Sequence, residues 1–197
     1  MNRARTFDPH ATLSQVVDLF SSKGYSETSM EDIVQTTGVS RYGLYGTFGN
    51  KRELFEQALE QYAEGMGKQS FLRLLEPGAS LGHIRAIFDE RVADMCCAEE
   101  HKGCLFIHTA MQLAPKDEEL RGVLQRLMKR MSKAFAIGLD SAKGRGEIAK
   151  DVDVDASGEL LTSTMFGLAV LGRTGFPKAT LDGIVDSTLD SLQEGSN

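Results

Sequence analysis

Apolar residues recur at three- and four-residue spacing along most of the chain, and alternating runs of β-branched residues are nearly absent. This pattern predicts an all-α protein of about nine helices. The first is expected from Pro9, with Asp8 as N-cap, to about Lys23, where Gly24 supplies the stop; Leu13, Val16, Val17 and Phe20 form its apolar stripe. A fourth helix is expected over about residues 51–69, with Leu54, Phe55, Ala58, Leu59 and Tyr62 on its apolar face and Asn50 as cap. After the break at Pro77-Gly-Ala-Ser80, further helices are expected at about 81–97, 103–113, 117–143, 155–173 and 178–193.

Between the first and fourth helices the pattern shortens. In Thr28-Ser-Met-Glu-Asp32 the Ser29 hydroxyl can accept from the Asp32 amide, starting a short helix that ends near Thr37 at Gly38. Ser40 can then cap a third helix running to about Gly46. Two short helices joined by the tight turn Thr37-Gly-Val-Ser40 are the grammar of a helix-turn-helix. Gly43 and Gly46 inside the third helix each cost about 1 kcal/mol relative to Ala.

Composition narrows the reading. At 197 residues, 41% hydrophobic and 25% charged, the chain has the make-up of one or two folded units of about 150 residues. No run approaches the roughly 20 apolar residues that span a bilayer, and the first nine residues lack the apolar block of a secretory signal, so a cytoplasmic protein with no membrane partner is expected. Net charge is -6, but residues 1–52 hold six basic and five acidic side chains, +1, which leaves -7 for the remainder. The two parts are expected to have different partners.

Gly24-Tyr-Ser-Glu-Thr-Ser-Met-Glu-Asp-Ile33, followed by Thr37-Gly-Val-Ser-Arg-Tyr-Gly-Leu-Tyr-Gly-Thr-Phe-Gly-Asn-Lys51 and Leu54-Phe55, resembles the N-terminal signature of the TetR family of transcriptional repressors. Gly146-Glu-Ile148 with Asp151 and Asp153, and Gly103-Cys-Leu105, are weaker echoes in the rest of the chain. The resemblance implies a helix-turn-helix DNA-binding domain over residues 1–52 and a helical ligand-binding and dimerisation domain over 53–197. It also implies a sequence-specific DNA-binding regulator rather than an enzyme: a homodimeric repressor on a near-palindromic double-stranded operator, released by a small-molecule or thiol-reactive inducer.

In such a unit the third helix enters the major groove, with Val39, Leu44 and Phe48 facing inward. Arg41 is the expected base reader, able to pair with guanine O6 and N7, and Tyr42 can meet a thymine methyl or a sugar. By the family's pattern Thr28, Ser29, Tyr45, Thr47 and Lys51 are placed to bond phosphates, and Gly43 and Gly46 lie on the same helix. Relatives mostly carry a small hydroxylated residue in place of Gly43 and His or Tyr in place of Thr47, so a methyl contact and a longer phosphate donor are expected to be lost here.

For the ligand domain, Phe88, Val92, Leu105, Phe106, His108, Met111, Leu124, Leu127, Met128, Met131, Phe135 and Phe166 are candidate walls of a pocket, together with Cys104. Leu160, Leu161, Thr164, Met165, Leu168 and Leu171 on one helix, and Leu181, Ile184, Val185, Thr188, Leu189 and Leu192 on the next, offer apolar faces for a four-helix dimer interface or for packing within one chain.

Cys96, Cys97 and Cys104 lie within nine positions, an arrangement unlike a secreted disulfide framework. Three readings stay open. Cys104 near a helix start, with Lys102 and His101 close by, can serve as a thiol sensor, joined by Cys96 and Cys97. His101, Cys104 and His108 have the spacing of three soft-metal ligands on a continuous helix, although Gly103 interrupts it. All three thiols can also be packing residues. A thiol-dependent enzyme or binding protein with a degenerate head, using Cys104 with His108 or His101, is the alternative function. There is no glycine-rich phosphate loop and no Gly-x-Ser-x-Gly turn, which leaves little support for the enzyme; no cofactor is expected.

Overall fold

In the computed structural model, the described residues are 7–67, 70–97 and 104–194, and they form ten helices with no strand among them. These are α1 (Pro9–Lys23), α2 (Met30–Thr37), α3 (Arg41–Phe48), α4 (Lys51–Gly67), α5 (Ser70–Leu74), α6 (Leu81–Cys97), α7 (Leu105–Gln112), α8 (Glu118–Gly144), α9 (Val154–Arg173) and α10 (Lys178–Glu194). The expected α4 is shorter than its pattern, and α5 is a separate short helix that the periodicity merged into the Pro77 break. The third helix runs one turn fragment beyond Gly46, to Phe48, because Phe48 is pulled into the core.

The chain divides into two compact units. The first holds α1 to α4, α7 and the start of α8 as far as Leu124. The second holds α5, α6, the rest of α8, α9 and α10.

Local chemistry accounts for the ends of the head's helices. Asp8 accepts from the His10 amide at 2.9 Å and Pro9 opens α1. Ser29 and Asp32 form a reciprocal capping box: the Asp32 amide donates to Ser29 Oγ at 3.1 Å and the Ser29 amide to Asp32 Oδ2 at 2.7 Å. Asn50 and Glu53 repeat the device on α4, with Asn50 Oδ1 accepting from the Glu53 amide at 3.0 Å and Glu53 Oε2 from the Asn50 amide at 2.7 Å. Gly38 ends α2 in the left-handed region at φ 67°, where a side chain would be strained.

The first unit's core is Val16, Phe20, Ile33, Leu44, Leu54, Phe55, Ala58 and Leu59, all essentially inaccessible. Phe20 meets Phe55 edge-on at 4.9 Å between ring centroids, and Tyr25 lies 4.7 Å from the same ring. α7 contributes Leu105 and Phe106, the latter edge-on to Tyr62 of α4 at 5.3 Å.

In the second unit, Phe71, Phe88 and Phe135 stack through α5, α6 and α8. Glu147 accepts from the Leu81 amide at 2.8 Å and from Arg145 Nε at 2.6 Å, tying the start of α6 to the α8–α9 loop. α8 and α9 cross where Gly158 has no side chain to separate them. A Cβ there would fall well inside contact distance of the Ser132 carbonyl oxygen and 3.1 Å from the Ala136 amide nitrogen. Beside this crossing Ser132 Oγ donates to Thr162 Oγ1 at 3.0 Å, and Thr162 donates to the Gly158 carbonyl at 2.9 Å. Among the described residues no helix is long and apolar enough to cross a membrane.

Gly158→Ala is therefore expected to destabilise the protein by about 1–3 kcal/mol through overpacking. Gly65→Ala, where a Cβ meets nothing within 4 Å, should be neutral or stabilising. Thermal melts of the two variants beside the parent protein check both.

Candidate nucleic-acid interface

α3 turns its side chains according to which two it buries. Leu44 and Phe48, one turn apart, sink into the core together with Val39 of the turn, and this rotates Arg41, Tyr42, Tyr45 and Gly46 outward. Tyr42 is 88% exposed and Tyr45 43%. Ser40 Oγ accepts from the Gly43 amide at 3.2 Å and holds the first turn. Arg41 reaches back over the turn to α2, where Nη1 lies 3.0 Å from Glu31 Oε1, and its guanidinium carbon stands 6.0 Å from the centre of the Tyr45 ring.

Other expected contact residues are placed differently from one another. Ser29 is exposed at the start of α2, and Thr47 is half-buried. Thr28 is buried and its hydroxyl donates to the Gly24 carbonyl at 2.6 Å, so that hydroxyl closes the α1–α2 loop and does not face solvent. Gly43 points partly inward: a Cβ would lie 3.1 Å from Val39 Cγ1 and 3.3 Å from the Phe7 ring. The methyl expected to be missing from a DNA-facing surface would thus press on the core edge. At Gly46 a Cβ would meet nothing within 4 Å.

Lys51 Nζ donates to the Tyr25 carbonyl at 2.7 Å and sits 4.2 Å from the centre of the Tyr25 ring. Burial pushes this ammonium down from the usual lysine range, against the opposing pull of the Asp32 charge. Lys51 therefore braces the α1–α2 loop against the start of α4.

Sequence reasoning missed the ion pairs that order the head. Lys23 Nζ lies 2.8 Å from Asp32 Oδ2, and this contact with the Ser29 hydrogen bonds holds the Asp32 carboxyl well below the usual carboxylate range. Arg52, in the first turn of α4, makes a two-pronged contact with Asp117, with Nη2 3.0 Å from Oδ1, and also pairs with Glu56. Asp117 in turn accepts from the Leu120 amide at 3.0 Å at the start of α8. Arg52 and Asp117 are 65 residues apart in sequence, so no local pattern reports their pairing.

The expected pocket residues fall in both units. Phe88, Val92 and Leu127 are buried in the second, where Met131 and Phe166 are half-buried; Phe106 is buried in the first, where Cys104 and His108 are half-buried. Met111 is 75% exposed, because α7 buries the face formed by Leu105, Phe106 and Thr109. Cys104 occupies the N-cap position of α7 without a side-chain cap bond, and Cys96 is exposed on α6. The side chains of Cys97 and His101, needed for the paired-thiol and metal readings, lie outside the described residues. Among the described residues no three His, Cys, Asp or Glu side chains converge as metal ligands.

Of the expected dimer face, Leu161, Leu168, Leu181, Val185 and Leu189 are buried in the second unit's own core. Leu160 is 47% exposed, and Thr164, Leu171 and Ile184 are half-buried. The exposed residues on the outer side of α9 are Glu159, Leu160, Ser163, Gly167 and Val170, and on α10 they include Thr180, Gly183, Ser187 and Asp190.

A helix-turn-helix head with an exposed recognition face, in a chain with a second helical unit, defines a DNA-binding transcriptional regulator. Family models agree over both parts: that for bacterial regulatory proteins of the tetR family matches residues 13–58, and that for the tetracyclin repressor-like C-terminal domain matches residues 80–180. The chain belongs to the TetR family of transcriptional regulators. It is 33% identical over 193 residues to the uncharacterized HTH-type transcriptional regulator YezE of Bacillus subtilis strain 168, covering 98% of this chain and all of that one. It is 27% identical to the HTH-type transcriptional repressor ComR of Escherichia coli strain K12, covering 95% of this chain and 90% of ComR. A solved structure of a cysteine-substituted form of the TetR family regulator CifR, complexed with 26-bp double-strand operator DNA, superposes with a TM-score of 0.82 at 26% identity, covering 96% and 99% of the two chains.

The Arg52 contact predicts a pH signature. The Arg52 guanidinium, then the Leu120 amide, lower the Asp117 carboxyl from 3.8 to about 2. A carboxyl lowered on folding adds stability that is complete above about pH 4 and is lost as the pH falls through about 2. Asp117→Asn should melt at a lower temperature than the parent near neutral pH, with the gap closing between about pH 4 and 2. Melts recorded across that range check it, and a gap independent of pH would contradict the assignment.

Proposed function

We propose that this chain is a homodimeric repressor that reads a near-palindromic operator through the outer face of α3. A small-molecule or thiol-reactive inducer releases it. The observation that carries the reading is the rotation of α3: with Leu44 and Phe48 buried, Arg41 and Tyr42 lie on the outer face, where they can meet base edges, and Ser29, Tyr45 and Thr47 flank them toward phosphates. The operator complex of CifR and the repressor ComR support DNA as the partner.

Two heads on one duplex require a two-fold partner. The outer sides of α9 and α10 favour that role, because Leu160 and Val170 leave apolar surface exposed and the small residues Ser163, Gly167, Gly183 and Ser187 let helices approach closely. Residues 53–197 supply the ligand and dimer functions in this reading, and a ligand acts by binding the DNA-incompetent arrangement of the heads more tightly than the competent one. Cys104, half-exposed at the start of α7, is the thiol on which a reactive inducer would act.

The test is titration of the purified protein against the duplex upstream of its own gene and against random duplex, over a salt series, with reductant and then with a mild thiol oxidant. Specific binding is expected, and Arg41→Ala should lower operator affinity about five- to 150-fold, the equivalent of about 1–3 kcal/mol for one bidentate base contact. Binding of operator no tighter than random duplex would refute the reading. Separately, Leu160→Glu should shift the mass measured by light scattering from dimer toward monomer and weaken operator binding in parallel.

A further inference from the structure

Arg41 is not waiting in solvent for DNA. Its Nη1 already lies 3.0 Å from the Glu31 carboxylate, and its guanidinium stands over the Tyr45 ring. Glu31 sits in the first turn of α2, where the positive helix end favours a carboxylate, and it is exposed on the same surface as Arg41. A negative charge on a surface that meets phosphate opposes binding, unless it does something there that binding needs.

We propose that Glu31 is a positioning residue for base reading: it holds one end of the Arg41 guanidinium and keeps it off the phosphates, leaving Nε and Nη2 to pair with a base edge. The inference rests on the DNA-reading role of α3. Two chemical facts support it. Exchanging the Glu31 carboxylate for a phosphate swaps one exposed anion for another, so Arg41 gains little from random DNA. A guanine edge instead accepts the rigid fork through O6 and N7 without competing for the Nη1 donor held by Glu31. The contact thus trades general affinity for discrimination.

Glu31→Gln removes the charge and keeps the side-chain length. Random-duplex binding by this variant should steepen in salt dependence by about 0.9 in the log–log slope, so that its gain in affinity from 200 to 50 mM salt exceeds the wild-type gain about 3.5-fold. Operator affinity should not rise with it, so at 50 mM salt the operator-to-random ratio falls below that of the wild type. In an Arg41→Ala background the same Glu31→Gln change should leave the ratio unaltered. A purely structural role in α2 would alter the melting temperature without altering the slope or the ratio.

An unchanged ratio in Glu31→Gln, with wild-type protein still binding operator specifically, would overturn this inference alone. So would a ratio that falls equally with and without Arg41. Loss of operator affinity at constant random affinity in the Arg41→Ala background would show Glu31 reading a base itself, which also overturns it. Absence of specific binding by the wild-type protein would remove the DNA-reading role on which the inference stands.

Discussion

The rotation of α3 about its own axis is the constraint from which the recognition surface follows. A helix places residues four apart on one stripe, so sinking Leu44 and Phe48 into the core leaves no freedom in where Arg41, Tyr42 and Tyr45 point. That stripe is held from three sides. Gly38 sets the angle between α2 and α3 through its left-handed backbone, Ser40 fixes the first turn, and Phe7 lies 6.3 Å from the Phe48 ring. An eight-residue helix with two glycines would be marginal alone, and it is the burial of two large side chains that makes it a rigid reading element.

The electrostatics of the head depart from those of a plain basic patch. From Lys23 to Arg52 there are four cations, and each has an internal anion or carbonyl: Lys23 with Asp32, Arg41 with Glu31, Lys51 with the Tyr25 carbonyl, Arg52 with Asp117. Two of them, Lys51 and Arg52, are spent on holding α4. Sequence-independent attraction to phosphate is correspondingly weak for these residues, and discrimination must come from geometry at base edges and from amide donors at the starts of α2 and α3.

Much of this architecture was legible because it is written in local chemistry. Asp8-Pro9, the Ser29 and Asp32 pair, Gly38 and Ser40 each announce a helix end by a hydrogen bond spanning two or three residues, and α1 and α2 fall where those signals put them. The outer face of α3 was legible for the same reason. What periodicity could not separate was a helix with two apolar stripes. On α9, Leu160 and Leu161 are neighbours in sequence about 100° apart on the helix; one is exposed and the other buried in its own unit, yet both fit an apolar face. The Thr28 hydroxyl bonds the Gly24 carbonyl four residues back, and Gly43 faces Val39, also four residues back, and the distant Phe7; helix-end signals do not report which way such residues turn.

The return of α7 to the head is the feature no local signal could supply. Phe106 against Tyr62, and Asp117 against Arg52, bring the segment from Cys104 to Asp117 into the same compact unit as the recognition helix, although 44 and 65 residues separate those partners in sequence. Arg52 lies one residue from Lys51 and two from the Asn50 cap, so Asp117 bears directly on how α4 starts. Leu105 and Phe106 are buried in the same compact unit as Leu44 and Phe48, so the start of α7 is packed at core density with the elements that carry the recognition helix, however far from them it lies in sequence.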